Sequence, residues 1–325
     1  MSKILISEII VDHIERLIKE GTLELNALAP SINQIACEFK VANETVVKAY
    51  KQLKAKGVLS SIRGKGFFVA KTNLANLHHV LILFDEFSPY KETLYNNIRS
   101  AFGNKAILDI YFHHNKLQTF ENLINTSLGK YTEYIILPYC NNDVSCLLNQ
   151  LPQDNLYLLD FKIANFNAKG VFQDFENDVY HVFNSLPELN QKYQRYYFVY
   201  KNEVRQVVSL IDTGFSRFCT ENQKEYIKTN NVGSLNIEKG DAFLVTHDDD
   251  LVELVLKAEE NRLILGEDIG IVSYNETALK KIASGGISVI STDFAKMGTD
   301  MANLILDNRK EMKYNAFGFI NRKSY

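Results

Sequence analysis

The sequence predicts an α/β protein in two parts. A small winged helix-turn-helix is expected over residues 1–71, and a two-lobed domain of doubly wound parallel sheet over 80–325. Three observations carry this expectation. Three helical stretches and a glycine-bounded hairpin fill the first seventy residues. Basic charge gathers there although the 325-residue chain carries a net charge of -3. From Val80 onward short apolar runs alternate with helical stretches, the pattern of parallel strands covered by helices on both faces.

Within the first part, Ile9, Ile10, Ile14, Leu17 and Ile18 recur at helical spacing, and Gly21 ends that helix. In "LAPSINQIACEF" Ser31 is a natural N-cap, with Ile32, Ile35, Ala36 and Phe39 as the inward stripe. After the break at "KVAN", Asn43 is expected to cap a third helix that turns Val46, Ala49, Tyr50 and Leu53 inward and stops at Gly57. "VLSSIRGKGFFVA" then reads as two short strands around Arg63-Gly64-Lys65-Gly66, with glycines where positive φ is needed. Residues 40–71 hold 8 Lys/Arg against 1 Asp/Glu, whereas the chain beyond residue 72 is acidic, with 25 against 32. A local basic patch on such a scaffold is the electrostatic footprint of a nucleic-acid surface. A solvated helix face would account for Lys51, Lys54 and Lys56 alone. It would not account for Arg63 and Lys65 on a glycine bend.

The stretch from Leu28 to Val69 resembles the N-terminal domain of GntR-family transcription regulators. The matching elements are Pro30-Ser31, Ile35-Ala36, Thr45-Val46, Ala49-Tyr50, Leu53, Gly57 and the closing Gly64-Lys65-Gly66-Phe67-Phe68-Val69. The resemblance implies a homodimer on double-stranded operator DNA. Helix three would lie in the major groove, with the wing against the backbone or minor groove. The expected DNA-binding residues are Ser31, Asn43, Glu44, Thr45, Lys48, Arg63, Gly64, Lys65 and Gly66. Two departures bear on specificity. Ile32 stands where the family usually has Arg, and Ala42-Asn43 where it usually has Ser-Arg. Loss of those arginines removes two guanine readers and favours an operator rich in A·T.

A polar stretch over 72–79 is taken as the linker. Beyond it, "VLILFDEF", "ILDIYFHH", "YIILPY", "LYLLD", "VFQDF", "YYFVY", "AFLVTHD", "IGIVSYN" and "ISVIST" read as strands, nine in all, which suits two lobes better than one. Ligands in such sheets bind beyond the carboxyl ends of the strands. The polar residues found there include Asp85, Tyr139, Asp160, Asp174, His247, Asp248 and Asn275. Carboxylates, amides and aromatic faces suit a polyhydroxylated ligand, since each sugar hydroxyl both donates and accepts. Taken singly, any of these residues is more simply a loop cap.

The last third is similar to the effector domain of lac-repressor-like and ribose-binding-like (periplasmic-binding-protein-like) proteins. The elements that match are "AFLVTHD", "GEDIGIVSYNE" and "ISVISTDFAKMG". By that resemblance His247-Asp248 stand where the family has Asn-Asp, Asn275 at a ligand-binding Asp, Phe294 at an aromatic of the pocket, and Asp160 at a strand-end Asp near the hinge. The family's arginine before a Gly-aromatic pair is replaced by Ile211 ahead of Gly214-Phe215, and Arg205 is expected to substitute. The effector so implied is a small sugar or sugar derivative.

Other classes find little support. The amphipathic N-terminus is not a signal peptide, and no apolar run reaches the roughly 20 residues of a membrane span, so a cytoplasmic protein with no membrane partner is expected. Four scattered cysteines without a CxxC support neither a disulfide framework nor a zinc site, and no cofactor or metal is expected. The competing reading is an enzyme acting on a sugar in the same cleft. Its sequence support is Asp248-Asp249-Asp250 and the pairs His78-His79 and His113-His114. Neighbouring residues on a strand face opposite ways, and the acidic run suits a helix N-terminus. GxSxG, Walker A and HExxH motifs are absent from the sequence.

Overall fold

The computed structural model describes residues 6–71, 77–138, 141–201 and 206–325. It divides into two compact units between Leu77 and His78.

In the first unit α1 (Ile6–Lys19) packs beside α2 (Ile32–Phe39) and α3 (Asn43–Ala55), followed by the hairpin β1 (Leu59–Ile62) and β2 (Gly66–Val69). Its core is Ile10, Ile14, Ile18, Ile35, Val46, Ala49, Tyr50, Leu53, Val58 and Val69. Two sequence expectations need correction. Ile9 is 44% exposed, because Val11 takes the fifth inward position on α1. Ala42, not Asn43, is the N-cap of α3 and makes no side-chain cap bond. Asn43 has already entered the helix and donates to Asn33 Oδ1 at 3.0 Å, tying α3 to α2.

The second unit holds two six-stranded sheets. In chain order its elements are β3 (His78–Phe84), α4 (Pro89–Phe102), β4 (Ala106–Phe112), α5 (Leu117–Ser127), β5 (Glu133–Ile136), α6 (Ser145–Leu148), β6 (Leu156–Asp160), β7 (Gly170–Phe172), α7 (Phe175–Asn184), α8 (Pro187–Asn190), β8 (Arg195–Val199), α9 (Gln206–Glu221), β9 (Glu225–Thr229), β10 (Asp241–Val245), α10 (Asp248–Glu260), β11 (Gly270–Tyr274), β12 (Ser288–Thr292), α11 (Phe294–Leu306), β13 (Met312–Tyr314) and β14 (Phe317–Ile320). One sheet runs β13-β7-β6-β5-β3-β4, the other β14-β12-β11-β10-β8-β9. All pairs are parallel except β12 with β14. The nine predicted strands are present. Three more, β9, β13 and β14, are not evident from sequence: each is short and lies at a sheet edge. The first strand begins at His78, so the last two residues read as linker belong to the sheet.

The chain crosses between the lobes three times. It leaves β7 for α7, which packs on α9. It leaves β12 for α11, which lies against α4. It then passes from β13, paired with β7, to β14, paired with β12. Register places these crossings at the carboxyl ends of the strands, since Tyr314 pairs with Phe172 and Phe317 with Thr292. The α4–α11 contact is close because Gly298 has no side chain: a Cβ there would stand 2.5 Å from the Leu94 carbonyl oxygen.

Candidate functional site

Two surfaces collect the residues singled out in the sequence. On the first unit Ser31 caps α2 through a capping box. Its hydroxyl accepts from Gln34 N at 3.2 Å, and Gln34 Oε1 accepts from Ser31 N at 2.7 Å. Tyr50 OH donates to Pro30 O at 2.6 Å and its ring meets Phe67 edge-on at 5.0 Å, locking α3 to both the α2 entrance and the wing. The wing tip is the three-residue loop Arg63-Gly64-Lys65. Gly64 and Gly66 have φ +79° and +109°, in the region that side chains disfavour. A groove of about 520 Å³ joins the start of α2, the start of α3 and the wing, and Ser31, Asn43, Lys65 and Gly66 line it. Glu44, Lys48 and Arg63 are exposed and Thr45 is half-buried.

The cations here differ in their partners. Lys54 donates to Ser61 Oγ at 2.7 Å and Lys56 pairs with Glu15 at 3.0 Å. The exposed side chains of Lys48, Arg63 and Lys65 make no hydrogen bond or ion pair with a described residue. A free, solvated cation on a flexible stem is what a phosphate contact uses.

The second surface is where the strand ends of the two sheets face the crossovers. Asp160 closes β6 with φ +69° and pairs in register with Phe172, the last residue before the first crossover. Gln173 donates its side-chain amide to Asp160, and Tyr274 OH lies 3.4 Å from Gln173 Oε1. Asp85, just past β3, makes an ion pair with Lys91, whose side chain is 3% exposed. Burial opposes the Lys91 charge, but Tyr90, Asp85 and Glu86 outweigh it and hold its pKa above the usual value. Tyr90 stacks on Phe294, with ring centroids 4.8 Å apart. Asp85, Asp160 and Phe294 therefore do converge, around Lys91 and Tyr90.

His247, Asp248 and Asn275 form a second group, organised by Lys280. This buried lysine pairs with Asp248 at 2.9 Å and donates to Tyr274 O at 2.9 Å and Asn275 O at 2.8 Å. Burial pulls its pKa down. His247 is the N-cap of α10 and accepts from Asp249 N at 3.3 Å. Asp174 precedes α7, and its carboxylate accepts from Asn177 Nδ2 at 3.0 Å. Tyr139 and Arg205 lie outside the described residues.

Burial pushes the carboxyl groups of Asp160 and Asp178 up to about 6. Asn315 fastens the crossovers together. Its backbone N donates to Phe172 O at 2.8 Å, and its side-chain nitrogen donates to Thr292 Oγ1 at 2.7 Å and Asp293 O at 2.8 Å. Sequence reasoning missed Tyr90, Lys91, Tyr274, Lys280 and Asn315. For Lys91 a signal existed: it falls on the stripe of Leu94, Ile98 and Phe102, a lysine on an otherwise apolar helix face.

A pair of helices with a wing, followed by two sheets joined by three crossovers, makes a winged helix-turn-helix DNA-binding domain carried with a two-lobed α/β fold. Residues 6–69 match the family described as bacterial regulatory proteins, gntR family. The chain is 32% identical over 72 residues to the HTH-type transcriptional repressor YtrA of Bacillus subtilis, an alignment covering 21% of this chain and 55% of that protein's length. The trehalose repressor from Escherichia coli superposes with TM-score 0.64 at 14% identity, over 75% of this chain and 99% of that one. A LacI family transcriptional regulator from Enterococcus faecium with bound ribose gives TM-score 0.62 at 17% identity, over 76% of this chain and 98% of that one. The N-terminal unit is a GntR-type helix-turn-helix domain, and the C-terminal unit has the fold of the LacI-type two-lobed domains. Among the described residues no helix is long and apolar enough to cross a membrane, and no group of three His, Cys, Asp or Glu is placed to hold a metal ion.

Proposed function

We propose that this protein is a transcription regulator whose affinity for operator DNA is set by a small sugar-type effector held between the lobes of its second unit. The observation that carries the reading is the joining in one chain of a winged helix bearing free cations to two sheets whose polar strand ends meet at three crossovers. In the reading head, Asn43, Glu44, Thr45 and Lys48 at the start of α3 face the major groove, and Arg63 and Lys65 meet phosphates. Ser31 and the two wing glycines shape the approach. In the cleft, Asp85, Asp160 and Phe294 bind from one lobe, and Asp174, His247, Asp248 and Asn275 from the other. Ribose bound in a protein of the same fold supports a sugar as the ligand class.

One winged helix makes a small contact, and two copies on a palindromic operator supply the remainder of the affinity. A homodimer formed through the second unit is part of the proposal. Ligand touching both lobes favours the closed arrangement, and closure moves one lobe against its mate.

The test separates reader from sensor. Asn275→Ala is expected to abolish the response to sugar and leave operator affinity without sugar within about twofold. Lys48→Ala is expected to lose operator affinity while sugar binding survives. Operator and sugar titrations of each variant check this, and loss of both functions in either variant would break the division of labour.

A further inference from the structure

The strand ends where the two sheets meet the crossovers are unevenly charged. Among the described residues only two lysines are buried, Lys91 and Lys280, and each is already neutralised. Lys91 is paired with Asp85, and Lys280 with Asp248 and two carbonyl oxygens. Asp160, Asp174 and Asp178 stay half-buried beside the first crossover, and none of them forms an ion pair with a described residue. Asp160 is met by the Gln173 amide, with Lys91 and Asp85 as its charged neighbours. Asp178 is met by the Asp174 backbone N at 3.0 Å, with Asp174 and His181 as its charged neighbours.

Three of the buried polar atoms without a partner here are acceptors, beside the hydroxyls of Ser88 and Thr277. Asn315 is 7% exposed, and its side-chain nitrogen is committed to Thr292 and Asp293, which leaves Oδ1 as a buried acceptor without a donor. Asn275 Oδ1 and Glu276 Oε1, at the end of β11, are likewise buried and without a donor. Acceptors that find no donor within the protein call for one from a ligand. Tyr274, whose own pKa burial holds well above its usual value with Asp160 and Asp178 adding to the rise, and the Tyr90–Phe294 stack place aromatic surface among the carboxylates. Carboxylates together with aromatic surface are the surroundings that receive an ammonium group.

We propose that the effector carries a positive charge: a hydroxylated primary amine of the amino-sugar class, with its ammonium beside Asp160 and Asp178 and its hydroxyls toward Asn275 and Asn315. Phosphorylated and acidic sugars are disfavoured, because they would bring an anion to carboxylates that have no ion-pair partner among the described residues, where both buried lysines are already engaged. This inference rests on the sensor reading above.

The experiment is calorimetric titration of the full chain at pH 7 with three matched sets: glucose and galactose, glucosamine and galactosamine, and glucose 6-phosphate with galactose 6-phosphate. The expected result is that an amino sugar binds at least about tenfold more tightly than its parent, equivalent to about 1.4 kcal/mol, and that the phosphates do not bind. Asp160→Asn and Asp178→Asn should each reduce the preference for the amine over the parent sugar. Asparagine suits Asp160's positive φ, so the backbone is retained. Amine and parent bound equally, a phosphate bound as well as its parent, or an unchanged preference in both variants would overturn the charge assignment alone. If no member of any set bound, the sugar-sensor reading itself would fall, and this inference with it.

Discussion

The reading head and the cleft treat lysine in opposite ways. On the head, Lys48, Arg63 and Lys65 extend into solvent with no partner among the described residues. In the cleft, Lys91 and Lys280 are buried and fully engaged. An exposed cation keeps its hydration until it meets a phosphate and can be moved along a backbone at small cost. A buried cation is held by a defined set of acceptors, and removing it leaves those acceptors stranded. The first arrangement suits a repetitive polyanion. The second suits a site whose internal charges are settled before any ligand arrives, so that the unpaired groups determine what is accepted.

Three changes break or sharpen that contrast. The largest effect is expected for Lys91→Met. It fills the same space but takes from Asp85 its ion-pair partner and from Asp160 its charged neighbour, and it should destabilise the second unit by about 3 to 5 kcal/mol in urea unfolding. A change under about 1 kcal/mol, the range of an exposed pair, would mean that the Asp85 pair is dispensable. Next comes the double variant Arg63→Ala/Lys65→Ala. It should lower affinity about tenfold or more on every DNA sequence and reduce the salt slope by about one unit for each phosphate left unneutralised. Folding should hardly change, since neither side chain bonds to a described residue. An unaltered salt slope would make the wing tip ordinary surface.

The smallest effect is expected for Asp160→Asn. Its carboxyl is pushed up to about 6, so the folded form holds a proton that the unfolded chain has already released between about pH 4 and 6. Stability from this group is therefore fully present below the ordinary carboxylate range and is lost as pH rises toward 6. Removing the charge should stabilise the second unit at pH 7 by about 1 kcal/mol, since solvent at the half-buried group reduces the full cost. It should also remove part of the stability change between about pH 4 and 6. Asp178 contributes in the same direction, so the slope should shrink and not vanish.

The same contrast sets what the sequence could reveal. The reading head is built from local signals. Ser31 announces a helix start, the stripe Val46, Ala49, Tyr50, Leu53 is buried as its spacing implies, and Gly64 and Gly66 mark a bend that needs them. Even there the α3 cap falls one residue before the expected one, because Asn43 is a good cap by type and its bond to Asn33 is a tertiary fact. The central strands are legible as continuous apolar runs. β9, with Glu225 and Lys228, and the short β13 and β14 are not, since an edge strand needs little apolar surface.

Strand-end acids and amides could be gathered by position, yet what joins them could not. Nothing local says that the chain leaves β7 for the other lobe while it stays in one lobe after β10. Nor does anything near Asn315 in sequence say that it binds Thr292 and Asp293. Lys280 could be read only as surface, because its three acceptors come from the start of α10 and the end of β11.

The most direct measurement is the affinity of the full-length protein for an operator selected from random DNA, read by fluorescence anisotropy with and without saturating sugar ligand. Coupling between sites of this kind is commonly about 1 to 3 kcal/mol. The account predicts that one ligand among the pentoses, hexoses and their amino derivatives shifts operator affinity by about 5- to 150-fold in one direction. A ligand that binds the second unit and leaves operator affinity unchanged would contradict it.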